Sequence, residues 1–469
     1  MKFMKSDLKN KIMMRVKNIH FIGIGGSGMS GIASILSDLG YKVSGSDINS
    51  SKTIDLLKKK NIKISIGHKK ENILSKDVVI ISSAVKHDNV EYKYAKQLNI
   101  PIIKRAEMLA ELMRFSYGIA VAGTHGKTST TSILSHILNE ASYDPTYIIG
   151  GKIINSSNAR LGSSDYLVVE ADESDASFLH LQPLMSVITN IDKDHLENHE
   201  NSFDVLKKNF LEFINNLPFY GLCLINMNDI NTRSIINKIS RPVKTFGINI
   251  NADYVATEIN LNIMPATYIY KEDGKEHEIK INMPGQYNIM NSLAALAVAR
   301  ELDVPIKIIK KALINFPGIK RRFEIIGNFK LNKKSFMWID DYGHHPTEMK
   351  EVLETIKNVW KKRRVIMIFQ PHRYSRTAEH FNQFVDILKK VDNLILMEIY
   401  AANEEPIDNI SSEAISLEIK KYNDNVLLIN NNNDLAKSLE DIIEDNDILL
   451  TMGAGNISQF VNYYKEIIK

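Results

Sequence analysis

The sequence predicts an α/β protein of three domains, and three observations favour this fold class. Apolar runs of strand length alternate with helical patterns along the chain, which is typical of parallel sheets joined by right-handed crossovers. Glycine-rich turns follow two of these runs, at residues 23–28 and 123–128. The length of 469 residues and the apolar content of 44% suit about three domains with ordinary cores.

Linkers near residues 113–116 and 316–319 divide the alternating strands and helices into three parts. We predict a Rossmann-like N-terminal domain over residues 1–115, a central P-loop ATPase domain over 116–318 and a Rossmann-like C-terminal domain over 319–469. The first domain should contain strands at 16–22, 42–47, 62–66, 78–82 and 100–103. The central domain should contain strands at 166–170, 185–189, 222–226, 255–259, 267–270 and 278–281, with a helix over 288–300. The third should contain strands at 336–339, 365–369, 393–397 and 448–452.

The composition argues against several classes of protein. A net charge of +4 without a basic stripe does not suggest binding to nucleic acid. The single cysteine, Cys223, excludes an internal disulfide framework and fits a reducing compartment. Residues 1–15 lack the apolar segment of a signal peptide, and no stretch approaches the ~20 apolar residues of a membrane span. We therefore expect a cytoplasmic protein without membrane insertion.

The segment from residue 117 to residue 131 predicts a phosphate-binding loop between a strand and a helix. Backbone N–H groups at a helix N-terminus attract anions, Lys127 adds a cation, and the Thr128 hydroxyl suits Mg²⁺. The full P-loop spacing would need glycine at Val121, but the flanking strand and helix favour a nucleotide site. The candidate nucleotide-binding residues are Gly123, Thr124, His125, Gly126, Lys127, Thr128 and Ser129.

The first glycine-rich turn, Gly23-Ile-Gly-Gly-Ser-Gly28, has the G-x-G-x-x-G spacing, and Asp47 lies nineteen residues beyond it. This pattern indicates a diphosphate at a helix N-terminus, with the acid near a ribose. NAD and a UDP-sugar satisfy the pattern equally well.

Acidic residues follow the predicted strand at 166–170. Glu170 stands at the strand end, where a carboxylate can bind Mg²⁺, and Asp172, Glu173 and Asp175 are further candidates. His195 ends another polar segment, 189–195, which should face the same crevice. The sequence from His195 to His199 does not indicate a zinc-binding site, because its glutamate lies one position away from that of the H-E-x-x-H motif.

Two polar clusters follow strands of the third domain. Residues 340–348 contain two acids, two imidazoles and a helix-starting Thr-Glu pair, and residues 372–376 read His-Arg-Tyr-Ser-Arg. Because the carboxyl ends of parallel strands share one edge of a sheet, we expect both clusters at a ligand-binding edge.

Together these segments resemble the Mur ligase family over nearly the whole chain after about residue 16. The resembling segments are residues 25–33, 123–128, 170–175, 189–195, 321–324, 341–348, 369–376 and 453–457. The tyrosine-glycine pair before the double histidine and the string at 372–376 favour the alanine-adding branch.

The resemblance implies an ATP-dependent ligase with UDP-N-acetylmuramate and L-alanine as substrates, acting in peptidoglycan precursor synthesis. The sugar acid would attack the γ-phosphate of ATP and form an acyl phosphate, which the alanine amine would then attack. It implies ATP and Mg²⁺ as cofactors. Lys127 and the metal would neutralise charge on the γ-phosphate.

The resemblance also assigns residue roles. The implied metal ligands are Thr128, Glu170 and His195, and the implied further ATP contacts are Asn288, Asn291, Arg322 and Asp340 or Asp341. The implied substrate-binding residues are Gly25, Gly26, Ser27, Gly28, Met29, Asp47, Ser82, Ser83, Tyr342, His344, His345, Arg373 and Arg376. The implied catalytic residues are Lys127, Glu170, His195, His344 and Arg376. No residue stands out as the base for the alanine ammonium, and Tyr287 and Asn403 depart from the family pattern.

Three alternatives stay open at this point. A murein-peptide ligase would add a tripeptide to the same sugar acid. An NAD-dependent oxidoreductase would use residues 23–28 but would leave Lys127 unexplained. A nucleotide-dependent regulatory protein would bind the same ligands without forming an amide.

Overall fold

The computed structural model describes residues 13, 15–82, 84–194, 196–429 and 431–467, with only the backbone described at 27, 197 and 432. The chain forms two compact units. The first comprises the described residues up to Glu258 with 268–280 and 290–316, and the second comprises 259–267, 281–289 and the described residues from 317 to 467. Three sheets, each flanked by helices, confirm the predicted α/β class with three domains. The domain boundaries at 115 and 318 stay predictions.

The first sheet has five parallel strands in the order β3-β2-β1-β4-β5. The strands are β1 (Asn18–Ile22), β2 (Lys42–Asp47), β3 (Lys63–Ile66), β4 (Val78–Ile81) and β5 (Ile102–Lys104). The helices are α1 (Ser27–Asp38), α2 (Lys52–Lys59), α3 (Val90–Gln97) and α4 (Arg105–Met113), with a 3₁₀ segment over Lys70–Ile73. The chain reverses its winding direction at β1, so the loops after β1, β2 and β4 form the usual ligand crevice of such a sheet.

The second sheet has ten strands in the order β15-β14-β13-β12-β11-β10-β6-β9-β7-β8. The strands are β6 (Tyr117–Ala122), β7 (Thr146–Ile148), β8 (Ala159–Arg160), β9 (Tyr166–Glu170), β10 (Met185–Ile188), β11 (Leu222–Asn226), β12 (Val243–Ile248), β13 (Tyr254–Asn260), β14 (Ala266–Glu272) and β15 (Lys275–Ile281). The α-helices are α5 (Lys127–Glu140), α6 (Phe203–Asn215), α7 (Ile230–Ile235), α8 (Gln286–Glu301) and α9 (Ile306–Ile314). Short 3₁₀ segments cover Ser177–His180, Leu196–Asn198 and Ile236–Lys238.

Burial explains the apolar sequences of the central strands and of α8. Strand β6 pairs in parallel with β9 on one side and β10 on the other, and its residues 119–122 are fully buried. A strand covered on both faces needs a continuous apolar run rather than an alternating one. Helix α8 is buried on all sides over residues 293–299, which explains its run of alanine and leucine.

The third sheet has six strands in the order β16-β17-β21-β18-β19-β20. The strands are β16 (Glu324–Leu331), β17 (Lys334–Asp341), β18 (Val365–Phe369), β19 (Asn393–Leu396), β20 (Val426–Leu428) and β21 (Asp447–Met452). The helices are α10 (Pro346–Val359), α11 (Tyr374–Glu379), α12 (Phe381–Leu388), α13 (Ser412–Lys420), α14 (Asn432–Ile442) and α15 (Ile457–Ile467). Separate apolar clusters line the two faces of this sheet.

Strand β16 was not predicted. The first strand predicted for the third domain was the one at residues 336–339. It forms an antiparallel hairpin with β17, and the other pairs of this sheet are parallel. Asn332 and Lys333 make the turn with φ of 49° and 69°. Hairpin turns of this kind usually carry glycine, and neither position of this turn is a glycine.

Within the described part of the chain, no helix is both long enough and apolar enough to cross a membrane.

Candidate active site

The phosphate loop connects β6 to α5 at the carboxyl edge of the second sheet. Gly123 and Gly126 have φ of 135° and 82°, which L side chains rarely adopt, and Gly126 directly precedes α5. A Cβ atom at Gly126 would lie 2.5 Å from Oδ1 of Asn291. The loop therefore requires glycine at both positions for its shape, and α5 presents its N-terminal N–H groups beside it.

The segment after β10 holds this loop in place. Thr189 and Asn190 donate to the carbonyl oxygen of His125 at 2.6 and 3.0 Å, and the His125 N–H donates to Oδ1 of Asn190 at 2.9 Å. The Asp192 N–H donates to Oγ1 of Thr124 at 2.8 Å, and the His125 ring lies 3.3 Å from the Asp192 carboxylate. The loop is thus tied to the neighbouring strand end by both its backbone and its side chains.

Lys127 lies over the loop and forms an ion pair with the acidic segment. Its Nζ donates to the carbonyl oxygens of Gly123 and Thr124 at 2.6 and 3.1 Å. The same Nζ lies 2.9 and 2.7 Å from the two carboxylate oxygens of Glu173, which is 3% exposed. Lys127 is thus a desolvated cation held at the mouth of the loop.

Burial and neighbouring charges shift the pKa values of this pair. Burial raises the pKa of Glu173 to about 7, opposed by Lys127 and reinforced by Asp172. Burial would lower the pKa of Lys127, but the carboxylates of Glu173, Asp172 and Glu170 outweigh it and raise that pKa. Lys127 therefore stays protonated at neutral pH.

The other residues of the acidic segment lie close to both glycine-rich turns of the first unit. Glu170 ends β9 opposite Val121, at the start of the phosphate loop. Asp172 and Asp175 lie 3.4 and 3.9 Å from the Arg105 guanidinium. A Cβ atom at Gly28 would lie 2.7 Å from Nη1 of Arg105. Arg105 thus bridges the acidic segment and the N-terminus of α1.

Residues of α5 and α8 complete the surroundings of the phosphate loop. Thr128 and Ser129 lie in the first turn of α5. Thr130 lies 3.3 Å from Oδ1 of Asn291, so the structure places Asn291 against the loop. Asn288 lies one turn earlier on α8 and donates to the carbonyl oxygen of Pro284 at 2.7 Å. Its amide therefore stabilises the start of the helix.

The first glycine-rich turn is shaped by its own neighbours in the first sheet. The Gly25 N–H donates to Oδ2 of Asp47 at 2.8 Å, so this carboxylate holds the turn as well as facing the crevice. Ser82, at the end of β4, would meet a Cβ atom on Gly23 at 3.5 Å. Gly26 precedes α1, and the buried Met29 side chain belongs to the core, which leaves only its backbone for a ligand.

In the second unit, Asp340 and Asp341 end β17 as buried acids. The carboxylate of Asp341 accepts hydrogen bonds from the N–H groups of Phe323 and Gly343, both at 2.6 Å. Burial raises its pKa to about 6, against the effect of Arg322. Asp340 lies 3.1 Å from Nε of Arg321, and burial raises its pKa too. Both acids therefore fix the segment that precedes β16.

Tyr342 and His344 follow these acids. The guanidinium groups of Arg321 and Arg322 lie 5.3 and 5.1 Å from the Tyr342 ring, within cation–π range. The ring of His344 meets Tyr342 edge-on at 5.4 Å. Burial lowers the pKa of His344 to about 4, so its imidazole is neutral at pH 7. Arg322 also lies 3.6 Å from Glu348 of α10.

The cluster at 372–376 lies beside these residues. The His344 and His372 rings are 5.8 Å apart, and the pKa of His372 is lowered to about 4 by burial and by nearby arginines. Arg376, which is buried, lies 3.5 Å from the His372 ring nitrogen. Arg373 lies 4.0 Å from Glu404, and His345 caps α10 through a bond from the Thr347 N–H. The structure thus brings together the predicted histidines and arginines of the third sheet.

The structure describes both residues that depart from the family pattern, Tyr287 and Asn403. The Tyr287 ring packs on Gly285, where a Cβ atom would lie 2.5 Å from it. Asn403 has φ of 68°, the left-handed conformation that asparagine tolerates better than most residues. Ser83 and His195 lie outside the described residues, and only the backbone of Ser27 is described.

Sequence reasoning assigned no individual role to several residues that shape the site. They include Arg105 and the loop-holding residues Thr189, Asn190 and Asp192. The polar segment after β10 was a usable signal for the last three. Arg105 contacts residues that belong to two different sheets, and no local sequence pattern predicts this contact.

Three domain models of one family match the chain. "Mur ligase family, catalytic domain" matches residues 18–117, "Mur ligase middle domain" matches 121–299, and "Mur ligase, glutamate ligase domain" matches 321–455.

Curated proteins similar to this chain carry one name. The UDP-N-acetylmuramate–L-alanine ligase of Vesicomyosocius okutanii subsp. Calyptogena okutanii is 50% identical over 456 residues, which cover 96% of this chain and 97% of that protein. The protein of the same name from Hydrogenovibrio crunogenus is 44% identical over 456 residues, covering 96% and 99%.

Solved structures agree in fold. The UDP-N-acetylmuramate-alanine ligase of Thermotoga maritima superposes with a TM-score of 0.82 at 29% identity, covering 96% of this chain and 100% of that one. A murein peptide ligase from Psychrobacter arcticus has a TM-score of 0.72 at 23% identity, covering 96% and 98%, and shares the fold.

Proposed function

The chain belongs to the Mur ligase family, and from this premise we propose that it joins L-alanine to the carboxylate of UDP-N-acetylmuramate. The family is ATP-dependent, so the reaction is an ADP-forming amide ligation. The product would be a precursor of peptidoglycan. The observation that carries the proposal is the desolvated Lys127 at the mouth of a glycine-shaped loop, 2.7 Å from a buried acid.

Chemistry explains why this ligation consumes ATP. A carboxylate does not acylate an amine at neutral pH, because its oxygen is a poor leaving group. In the first step a carboxylate oxygen of the sugar acid bonds to the γ-phosphorus and ADP leaves. In the second step the alanine nitrogen bonds to the acyl carbon, phosphate leaves with the carboxylate oxygen, and the nitrogen loses two of the three protons of the ammonium group and keeps one as the amide N–H.

The phosphate loop is the proposed site for the ATP phosphates. Its N–H groups and the N-terminus of α5 suit an anion, and Lys127 supplies a positive charge that moves with its flexible side chain. The loop is already held by Thr189 and Asn190, so little conformational freedom is lost on binding. Asn291 supports the same loop from α8. Asn288, Arg322 and Asp341 are proposed to contact the remainder of ATP.

The oxygen ligands beside the loop fit a magnesium ion. Glu170 ends the strand next to β6, and the Thr128 hydroxyl lies in the first turn of α5; both are hard oxygen ligands of the kind that Mg²⁺ prefers. One observation of this structure supports the fit: a Cβ atom at Gly150 would lie 2.7 Å from Oε2 of Glu170, so a glycine leaves space beside that carboxylate. With His195, these residues would hold the metal, which would withdraw charge from the phosphates.

The glycine-rich turn of the first sheet is the proposed site of the UDP group. The N-terminus of α1 suits a diphosphate, and Arg105 lies against Gly28 with a charge of the right sign. Asp47 and Ser82 lie at the ends of the strands on either side of β1. Ser83 is proposed here from the resemblance alone.

The third sheet supplies the proposed contacts for the acids. Arg373 and Arg376 are suited to carboxylates because a guanidinium donates two parallel hydrogen bonds. Tyr342, His344 and His345 lie in the same cluster. His344 is neutral at pH 7, and its Nδ1 donates to the carbonyl oxygen of Tyr342 at 3.2 Å, so Nε2 carries the lone pair and can accept a hydrogen bond. Because the reaction uses ATP, we propose that the protein acts in the cytoplasm.

The test is a ligation assay with separate amine substrates. Purified protein is incubated with UDP-N-acetylmuramate, ATP and Mg²⁺, together with L-alanine or with L-alanyl-γ-D-glutamyl-meso-diaminopimelate. We expect amide product and ADP in equal amounts with L-alanine alone. Turnover only with the tripeptide would overturn the proposal in favour of a murein-peptide ligase. ATP hydrolysis or NAD binding without amide product would overturn it as well.

A further inference from the structure

The first sheet contains a fully buried carboxylate that the proposed reaction does not use. Glu91 is the second residue of α3 and is 0% exposed. Its Oε1 accepts hydrogen bonds from Asn72 Nδ2 at 2.6 Å and from the Lys69 N–H at 3.1 Å. Its Oε2 accepts from Ser46 Oγ at 2.5 Å and from His20 Nε2 at 3.3 Å. Four donors thus converge on one carboxylate, from β1, from β2 and from the 3₁₀ segment with its cap residue Lys69.

The partners explain how this charge is tolerated. Burial alone would raise the pKa of Glu91, but the hydrogen bonds from His20, Ser46 and Asn72 lower it to about 2. A buried charge with full hydrogen bonding is costly to disturb, because removing one partner leaves the other groups desolvated and unpaired. Such a network has a defined geometry.

The network reaches the glycine-rich turn through Ser46. The carbonyl oxygen of Ser46 accepts hydrogen bonds from the N–H groups of Gly23 and Ile24 at 2.9 and 3.1 Å. Its hydroxyl donates to Glu91 on the other side of the backbone. The next residue, Asp47, holds Gly25 with its carboxylate and accepts from the Gly67 N–H with its carbonyl oxygen at 2.8 Å. The end of β2 therefore links Glu91 to the turn that we assign to the UDP group.

His68 lies between this network and the crevice. Its Nδ1 is 2.9 Å from Ser46 Oγ and 3.4 Å from Glu91 Oε2. Because the Ser46 proton goes to Glu91, the Ser46 oxygen is left to accept a proton from Nδ1. In the neutral ring Nε2 then carries the lone pair. Both partners of Nδ1 are buried, so Nε2 faces the opposite way, and no described residue bonds to it; the His68 side chain is 17% exposed.

We propose that His68 is a further substrate-binding residue whose Nε2 accepts a hydrogen bond from a ribose hydroxyl of the UDP-sugar, and that Glu91 is the positioning residue that orients it through Ser46. His68 follows β3 at the same edge where Asp47 ends β2, and Asp47 pairs with Ile66 two residues earlier. In sheets of this class the ribose is bound at the end of the second strand. One carboxylate oxygen of Asp47 is already bonded to Gly25, which leaves room for a second acceptor.

The test measures UDP binding by calorimetry and steady-state kinetics in two variants of the full chain. His68→Phe keeps the ring size and removes both nitrogens, and Glu91→Gln keeps the shape and removes the charge. We expect each to weaken UDP binding and raise KM for UDP-N-acetylmuramate about tenfold, while KM for ATP and kcat change less than twofold. The double variant should be no worse than His68→Phe, because Glu91 acts through His68. Additive losses would show that Glu91 does not act through His68 and would overturn that half of the proposal.

The ligand contact is tested with 2′,3′-dideoxy-UDP in place of UDP. We expect His68→Phe to weaken UDP about tenfold and the dideoxy compound less than twofold. Equal losses for the two compounds, or no loss for UDP, would overturn the ribose assignment. Matched controls are Glu71→Gln, an exposed carboxylate on the adjacent 3₁₀ segment, and His277→Phe on β15. If Glu91→Gln does not fold, Ser46→Ala removes the same bridge and should give the same tenfold loss.

This inference rests on the proposed function, and the two can fail separately. Absence of amide product with the unsubstituted protein would refute the ligase. Normal ligation with unchanged UDP affinity in His68→Phe would refute only the role of His68.

Discussion

Nζ of Lys127 lies 2.7 Å from Oε2 of Glu173, and this ion pair joins the phosphate loop to the acidic segment after β9. Both side chains are largely withdrawn from solvent, so the lysine meets the nucleotide as a desolvated charge. A charge in such surroundings interacts with a phosphate more strongly than it would in water.

Replacing Lys127 with alanine should abolish ligation while leaving UDP binding nearly intact. The lysine compensates charge on the transferred phosphate, and the loss of such a group typically costs about 100-fold or more in rate. The UDP site lies on a different sheet, so its affinity should change less than twofold. Single-turnover product formation and UDP calorimetry measure the two effects, with the exposed Lys208→Ala as control. Equal loss of both activities would contradict the separation of the sites.

Gly126→Ala should damage nucleotide binding more than an equivalent change elsewhere. Its φ is 82°, and the new Cβ atom would also lie 2.5 Å from Asn291. Gly274, in the turn between β14 and β15, has φ of 73° with nothing within 4 Å, so Gly274→Ala isolates the cost of backbone conformation, about 1 kcal/mol. We expect KM for ATP to rise about tenfold in Gly126→Ala and to stay unchanged in Gly274→Ala. Similar KM values would show that the contact with Asn291 is unimportant.

Glu91 should make stability depend on pH in the acid range. Its pKa is lowered from 4.5 to about 2 in the folded protein, so the unfolded chain binds a proton first as the pH falls. The stabilisation is complete above about pH 5 and is lost below it, by about 2 kcal/mol between pH 5 and pH 3. Glu91→Gln should lack this part of the loss, whereas Glu71→Gln should retain it.

Hydrogen exchange at amides of the first sheet measures the local free energy of opening at each pH. A parallel pH dependence in the unsubstituted protein and Glu91→Gln would contradict the prediction.

Asp341→Asn should destabilise the second unit. The two oxygens of Asp341 accept from the Phe323 and Gly343 N–H groups, both at 2.6 Å, and an asparagine offers only one oxygen. One buried N–H would therefore lose its partner and face an amide donor, at a cost of about 1–3 kcal/mol. Thermal unfolding measures the loss, with Asp445→Asn as control, because Asp445 accepts from the Ser335 N–H at an exposed position. Equal melting temperatures for the two variants would refute the argument.

The fold could be predicted from the sequence because the patterns that indicate strands and helices are local. The apolar run at 166–170 predicted a strand with its observed limits, since a strand covered on both faces is apolar throughout. The strand at 42–47 also has its predicted limits, although it contains a single apolar side chain, Val43. Strand β16 was not predicted, because its turn at Asn332 and Lys333 has no glycine. The short strands β7 and β8 are likewise too brief to form a pattern.

The site was harder to predict, because its geometry depends on contacts between distant segments. The glycine positions of the phosphate loop follow from the spacing alone. The pairing of Lys127 with Glu173 rather than Glu170, and the position of Arg105 beside Gly28, depend on how strands and sheets meet. The burial of Glu91 could not be predicted from the sequence, because a single glutamate at the start of a helix ordinarily faces solvent.

The hydrogen bonds from Thr189 and Asn190 to His125 have a consequence for how this protein can change its nucleotide preference. The loop that would accept the triphosphate takes its curvature from a segment 65 residues further along the chain. A substitution in either segment alone would leave the other with unmatched donors or acceptors. Variation at the two places should therefore be coupled, and a redesigned loop would need a redesigned partner segment.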